Sequence, residues 1–521
     1  MSEENKQTLG SASLIGITAF GGALVGFVLQ LLVAYYFGAS ASTDAFFMAA
    51  STSELLGKLL LGGSITAVFL PLFVQRLSTG QKTAAWNLAL NILHVFAALF
   101  LVLIITVALF TPAFVRFIAP GFSPATAALT TTLLRVLLPS FLFLFLVDIA
   151  VAMLHALKQF ALPATLRLIA PTISIMTIVV LGKMIGIYAL ALGALIGSGV
   201  QLIYVAWALR RQGFIYRPIF QPFNTDIKKL LYLVYPFIFS MIATQAAGIV
   251  YRILVSDLSP GSLSALKYAE KITQLCTIIF LNSVTIVIYP LLSEKASHAD
   301  TNGMRTTIAS AIRLTTFITI PLIVGIVVLR EPLIAFIYQR GSFDTEAALL
   351  TSTALLFLIL GFTVNAASSI LGHAVLALQQ TRAAVAVTVA SHAVAIMLFI
   401  TLVPRLAHAG LALASSLVPL SSCLLYFLYL HRRIPHLQQI FWQGIYIKIV
   451  VLAGLLFIVL QGMLALSMAF PIPVGVNVLL QLVVPTIVGS LVFFGGAYLW
   501  RIPEMHDVVS ILHKKLRGLR P

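Results

Sequence analysis

Charge is what this sequence has least of. Only 9% of its 521 residues are Asp, Glu, Lys or Arg, against about 25% in an ordinary soluble domain. A chain so poor in charge cannot clothe its whole periphery for water, which excludes a purely soluble globule. Cysteine is nearly missing too. Cys276 and Cys423 are the only two, each inside an apolar run, so neither a disulfide framework nor a thiolate metal centre is implied. Acidic residues number 15 against 32 basic ones, for a formal charge of +17. The basic residues punctuate apolar stretches and form no continuous patch. That excludes nucleic acid as the implied partner and fits the anionic lipids of a membrane face. Enzyme motifs are absent as well. There is no phosphate-binding loop with its lysine, no Gly-x-Ser-x-Gly elbow and no His-Glu-x-x-His pair, so the chain does not read as an enzyme and no cofactor is implied.

What is present is a long series of apolar runs, since 60% of the residues are hydrophobic. A membrane-spanning helix needs about 20 mostly apolar residues. On that rule spans fall near 11–37, 43–74, 84–110, 127–157, 162–181, 187–209, 228–256 and 263–293. Further spans fall near 306–329, 346–377, 384–404, 408–431, 444–466 and 476–500. The reading is an all-α polytopic membrane protein of about fourteen helices. The polar stretch Met1 to Leu9 carries Glu3, Glu4 and Lys6 and lacks a cleavable signal's pattern, so the first span is expected to remain. Loop charge orients the series. With the N-terminus in the cytoplasm, 19 Lys or Arg residues lie on that side and five opposite, namely Arg116, Lys183, Arg330, Arg340 and Arg405. Both termini are therefore expected to be cytoplasmic, in the inner membrane.

The chain also resembles itself. Phe69-Leu70-Pro71-Leu72 recurs as Ile288-Tyr289-Pro290-Leu291, and Ala156-Leu157-Lys158-Gln159 as Ala377-Leu378-Gln379-Gln380. Leu202-Ile203-Tyr204 with Arg210-Arg211 recurs as Leu424-Leu425-Tyr426 with Arg432-Arg433. The nearly constant offset implies two six-helix lobes in the same orientation, related by a pseudo-two-fold axis along the membrane normal. The expected divisions are 1–215, 216–433, and 434–521 for an accessory pair with a basic tail. Pro218 to Asp226 reads as the linker between lobes.

Ionisable groups at membrane depth are costly and normally face a cavity or a partner. Glu54 and Lys58, spaced i, i+4 in the second span, form either a self-neutralising pair or the wall of a cavity that meets an anionic headgroup. In the eighth span Lys267, Glu270, Lys271 and Gln274 follow i, i+3, i+4, i+7 and make one polar stripe. It lines a cavity or joins an interlobe salt-bridge network. Asp148, in Phe- and Leu-rich sequence, is a candidate to pair with a lysine, to titrate during transport, or to make a structural hydrogen bond. Snorkelling explains Arg135, Arg167, Arg252, Arg313 and Lys448. His155, His373 and His392 lack metal-ligand spacing, and Gln30, Gln245, Asn282 and Asn365 fit interhelical hydrogen bonds or a cavity wall.

Gly26 to Phe47, reading GFVLQLLVAYYFGASASTDAFF, with LKYAEKITQL from Leu266 to Leu275 and Tyr289 to Ser293, resembles the MviN/MurJ lipid II flippases. These belong to the multidrug/oligosaccharidyl-lipid/polysaccharide exporter superfamily. The resemblance implies a fourteen-helix flippase for a polyprenyl-pyrophosphate-linked saccharide, serving peptidoglycan synthesis by alternating access. It implies a lipid-linked anionic saccharide as substrate, membrane lipids as surroundings and cell-wall synthesis proteins as candidate partners. The expected cavity residues are Lys58, Lys267, Lys271, Glu54, Glu270, Gln274 and Gln30, with Asp148 as the coupling group. The chain departs from the family's pattern at Leu29-Gln30, where Arg-Asp is usual, and at Lys58 and Gly62, usually arginine and glutamate. It departs again at Glu270-Lys271 and Gln274, usually Asp-Arg and glutamate. Lysine meets a pyrophosphate as a point charge and lacks the arginine fork. Other readings of the same pattern are an exporter of another lipid-linked oligosaccharide, a proton-coupled drug antiporter, and a non-transporting membrane scaffold.

Overall fold

A computed structural model describes the backbone at 3–61, 64–440, 444–468, 474–506 and 510, and side chains there except at 3–15, 53, 56–61, 64–68, 234–237, 468 and 474–479. Seventeen α-helices occur among the described residues, and no strand. They are α1 (Glu3–Phe37), α2 (Ala41–Leu61), α3 (Ser64–Ser78), α4 (Lys82–Leu109), α5 (Thr111–Ile118), α6 (Pro124–Ala156), α7 (Ala161–Ile185), α8 (Tyr188–Arg211) and α9 (Thr225–Ser256). The rest are α10 (Ser262–Cys276), α11 (Asn282–Ser297), α12 (Thr301–Tyr338), α13 (Thr345–Leu360), α14 (Phe362–Ala377), α15 (Thr381–His431), α16 (Gly444–Met468) and α17 (Val474–Leu499). Their starts follow from short polar side chains that accept otherwise unpaired amides. Ser123 accepts from Thr126 at the start of α6, Asp300 from Gly303 at α12, and Asp344 from Ala347 at α13.

Eleven described helices are long and apolar enough to cross a membrane, twelve if the bent pair α13–α14 is one span. The protein is thus a multi-pass membrane protein, and the count is compatible with fourteen. α15 contains both spans expected over 384–431, divided at Ala407, whose φ of 49° and ψ of −130° leave the helical region. The span expected over 43–74 corresponds to α2 and α3, with 62–63 outside the described residues. The 40° bend between α13 and α14 centres on Gly361, where a side chain would run into the Ser416 carbonyl.

The sequence repeat returns as repeated local geometry. Lys158 and Gln379 both adopt left-handed backbone, φ 59° and 58°. Behind them Gln159 N donates to Leu154 O at 2.9 Å and Gln380 N to Val375 O at 3.1 Å, the same helix-ending motif twice. Gly80 and Ala299 form a second such pair, following α3 and α11 with their internal prolines Pro71 and Pro290. Arg211 lies 3.8 Å above the Trp207 ring and Arg433 4.9 Å from the Tyr429 ring, each four residues back along its helix.

By internal contacts the chain divides into two compact units. The first holds 1–267 and 340–343. Its core joins Phe69, Phe73, Phe96, Phe100, Phe145 and Met153, with Phe100 stacked on Phe145 at 4.6 Å. The expected linker is tied down within this unit. Gln221 exchanges two hydrogen bonds with buried Asn91, Arg76 pairs with Asp226 at 2.6 Å, and His94 bonds Tyr216 at 2.8 Å. The second unit holds 268–339 and 344–521. One of its cores knits α12 to α16 and α17 through Phe317, Leu329, Leu452, Leu456 and Phe493. Large apolar side chains stay exposed on the helices, such as Met184, Ile203, Ile286 and Leu491. Such residues suit a lipid solvent.

Candidate functional site

In the first unit, α2 is fixed at its start by Asp44 of the Thr-Asp-Ala-Phe-Phe motif. This buried carboxylate accepts from Gly261 N at 2.7 Å through Oδ2. Through Oδ1 it accepts from Ser264 N at 2.7 Å and Ser264 Oγ at 2.6 Å. It thereby satisfies the open amides at the beginning of α10 and places a negative charge at a helix N-terminus. Deeper along α2, Gln245 of α9 donates to the Leu55 carbonyl at 3.1 Å, the interhelical hydrogen bond expected of it. Sequence reasoning missed both roles of Asp44, although the motif itself was the signal.

Arg252 does not snorkel. It is half-buried, and its Nη2 donates to the Ser51 carbonyl at 2.7 Å while Nε donates to Ser51 Oγ at 3.3 Å. Gly248, one turn back on α9, leaves room for the guanidinium. The Glu54 carboxylate also acts electrostatically on Arg252, so Glu54 has a cationic neighbour from another helix. Glu54 itself is exposed. The Lys58 side chain and Gly62 lie outside the described residues. Gln30 is half-buried on α1. Asp148 is exposed on α6 while Val147, Ile149 and Ala150 around it are buried, so it lies off the apolar core that its sequence surroundings implied.

The stripe on α10 is the least buried part of an otherwise packed helix. Leu266, Tyr268, Ala269 and Ile272 are buried, whereas Lys267, Glu270 and Lys271 are half-buried and Gln274 is exposed. Lys267 Nζ sits 5.9 Å from the centre of the Tyr251 ring, and Lys271 Nζ donates to Gln274 Oε1 at 3.2 Å. The helix then changes pitch, since Thr277–Leu281 is a π-helical turn leading into α11. Such turns re-aim side chains and recur at functional positions.

Within the second unit two further features were not legible in the sequence. His373 and His392, whose spacing does not suit a metal, each bond the carbonyl one turn back, Ser369 O at 2.7 Å and Thr388 O at 2.8 Å. With Asn365, Ser368, Ser391 and Tyr426 they line a polar cavity of about 370 Å³. Among the described residues no three metal-binding side chains come together. Arg313, read as snorkelling, instead donates through Nε to Glu504 Oε1 at 2.9 Å, and Glu504 is only 7% exposed. An apolar cavity of about 340 Å³ lies among α12, α16 and α17, lined by Ile318, Leu322, Leu329, Leu456 and Phe493, with Phe280 of the π turn.

Known proteins share this architecture. A solved lipid II flippase MurJ in an inward closed conformation matches with a TM-score of 0.79 over 95% of this chain and 99% of its own, at 24% identity. An inward-facing multidrug resistance MATE transporter matches with a TM-score of 0.66 over 81% of this chain and 95% of its own, at 16% identity. These likenesses establish the fold. Among curated sequences, the lipid II flippase MurJ of Burkholderia cenocepacia is 24% identical, covering 83% of this chain and 86% of the relative. A probable lipid II flippase MurJ of Rhizobium tropici is 26% identical, covering 80% of each. The family described as lipid II flippase MurJ matches residues 33–485, and the chain belongs to that family.

Proposed function

We propose that the chain is a flippase for lipid II, a polyprenyl-pyrophosphate-linked saccharide, acting in peptidoglycan synthesis. The observation that carries this reading is family membership across nearly the whole helical series, from residue 33 to residue 485. The protein acts as a transporter and not as an enzyme. It sits in the cytoplasmic membrane with both termini cytoplasmic, as the loop charge favours. Divisions at 1–215 and 216–433 make two lobes that expose one site to each side in turn, and 434–521 adds the accessory helices.

Lys58, Lys267 and Lys271 hold the pyrophosphate, and Glu54, Glu270, Gln274 and Gln30 complete the polar wall. Support comes from the open face of α10, where lysines keep company with a tyrosine ring and a glutamine amide. Lysines so placed act as point charges that bind without a rigid fork, which lets the headgroup leave. Asp148 is the candidate coupling group because it is an exposed acid on a membrane-spanning helix. The prenyl tail stays in an apolar environment, for which the cavity among α12, α16 and α17 is suited.

Complementation tests the reading. Expression in cells depleted of their lipid II flippase is expected to restore growth and outward appearance of the labelled headgroup. Failure of both, with the protein folded in the membrane, overturns the assignment. Transport of a different lipid-linked glycan in that case would redirect it to another substrate on the same fold.

A further inference from the structure

Arg313, Gly444, Ile445, Lys448, Arg501 and Pro503 line a third cavity, of about 380 Å³, in the second unit. It lies where α16 begins and just past the end of α17, so α12, α16 and the segment after α17 contribute one cation each. Arg313 spends one edge on Glu504. Lys448 Nζ donates to the Trp500 carbonyl at 3.1 Å. No carboxylate pairs with Lys448 or Arg501 among the described residues. Gly444 is exposed, with no described atom within 4 Å of where a side chain would begin. Cations gathered between membrane helices are stabilised by an anionic headgroup, and lipid phosphate is the anion at hand.

The apolar cavity lies on α12, α16 and α17, one to three turns further along each. Ile318 and Leu322 follow Arg313 on α12, Leu456 and Leu460 follow Lys448 on α16, and Phe493 and Phe494 of α17 precede Arg501 in the segment after it. Its remaining wall includes Phe280, nine residues from Lys271 on the continuous α10–α11 span. The sequence of features is therefore basic pocket, apolar groove, then the lysine stripe. A ligand with phosphate oxygens on a long apolar chain matches the first two together.

We infer that the Arg313, Lys448 and Arg501 pocket is a loading site that takes the pyrophosphate of a polyprenyl-pyrophosphate lipid while its tail occupies the adjoining groove. The inference rests on the proposed function for its substrate class. Lys448 and Arg501, two cations without a carboxylate partner among the described residues, balance the two negative charges of a pyrophosphate diester.

The test uses full-length protein in neutral detergent and native mass spectrometry. Undecaprenyl pyrophosphate and phosphatidylglycerol serve as separate probes. The double variant Lys448→Gln, Arg501→Gln is expected to retain undecaprenyl pyrophosphate about tenfold less well, the scale of losing charge-assisted contacts. Phosphatidylglycerol retention should change less than threefold. The charge-keeping pair Lys448→Arg, Arg501→Lys should bind as wild type, and thermal midpoints of all forms are compared to exclude unfolding. Unchanged retention of the pyrophosphate by the glutamine variant overturns the inference, and so does an equal loss of phosphatidylglycerol, which would make the pocket a general anionic-lipid site. Complementation separates the two proposals. Wild-type protein that fails to complement but shows this binding pattern keeps the pocket and loses the transport reading. Protein that complements while the glutamine variant binds normally loses the pocket alone.

Discussion

Two basic regions of the molecule are built in opposite ways. The stripe on α10 is carried by one helix within eight residues, Lys267 to Gln274, and its face is open because its back is packed. The cluster of Arg313, Lys448 and Arg501 draws on two helices and the segment after α17, and spans nearly 190 residues of chain. In the stripe, Lys267 lies beside the Tyr251 ring and Lys271 bonds the Gln274 amide. In the cluster, one arginine is fixed by a buried carboxylate, and that pair also holds α12 to the segment after α17. The lesson is that membrane cations of similar chemistry divide by partner. An arginine paired with a buried acid suits architecture, and lysines on a partly exposed helix face suit binding.

The largest effect expected is on the stripe. Lys267→Ala with Lys271→Ala should abolish translocation, read as protection of the labelled headgroup, while folded protein remains in the membrane. Lys271→Arg should retain most of it. Wild-type transport by the double alanine form would show that the open face does not hold the substrate.

Next comes Arg313→Ala, which leaves Glu504 buried without its counter-charge. Breaking a buried pair costs about 3–5 kcal/mol, so the thermal midpoint should fall sharply. Adding Glu504→Gln should recover most of the loss. No recovery would mean that the arginine acts through packing and not charge.

Asp44→Ala is expected to cost about 2–3 kcal/mol, because three buried donors at the start of α10 lose a charged acceptor. Its effect should reach the stripe through the misplaced first turn, so transport should fall further than folded protein does. A stability loss with transport per folded molecule unchanged would separate the anchor from the stripe.

The smallest effects are reserved for the repeated arginine-on-ring contacts. Arg211→Ala and Arg433→Ala should each lower stability by less than about 1 kcal/mol, and by similar amounts, as equivalent positions of the repeat. A large difference between them, read by chemical denaturation in detergent, would break the equivalence.

Much of this protein was written in its sequence, for a local reason. Whether a segment crosses a membrane depends on about 20 consecutive side chains, and whether four polar residues share a face depends on the pitch of one helix. The spans, the α10 stripe and the internal repeat are properties of that kind. The repeat extends even to the left-handed helix ends at Lys158 and Gln379, which lie within matched sequence. Partners across the chain are not local. Asp44 meets Ser264 across 220 positions, Arg252 meets Ser51 across 201, and Arg313 meets Glu504 across 191. A lone charged residue in an apolar run reads the same whether it snorkels, caps another helix or neutralises a buried acid. The difference lies in which helices pack together, and only the tertiary structure decided it. The paucity of charge determined that this chain belongs in a membrane, and packing determined what each of its few charges does there.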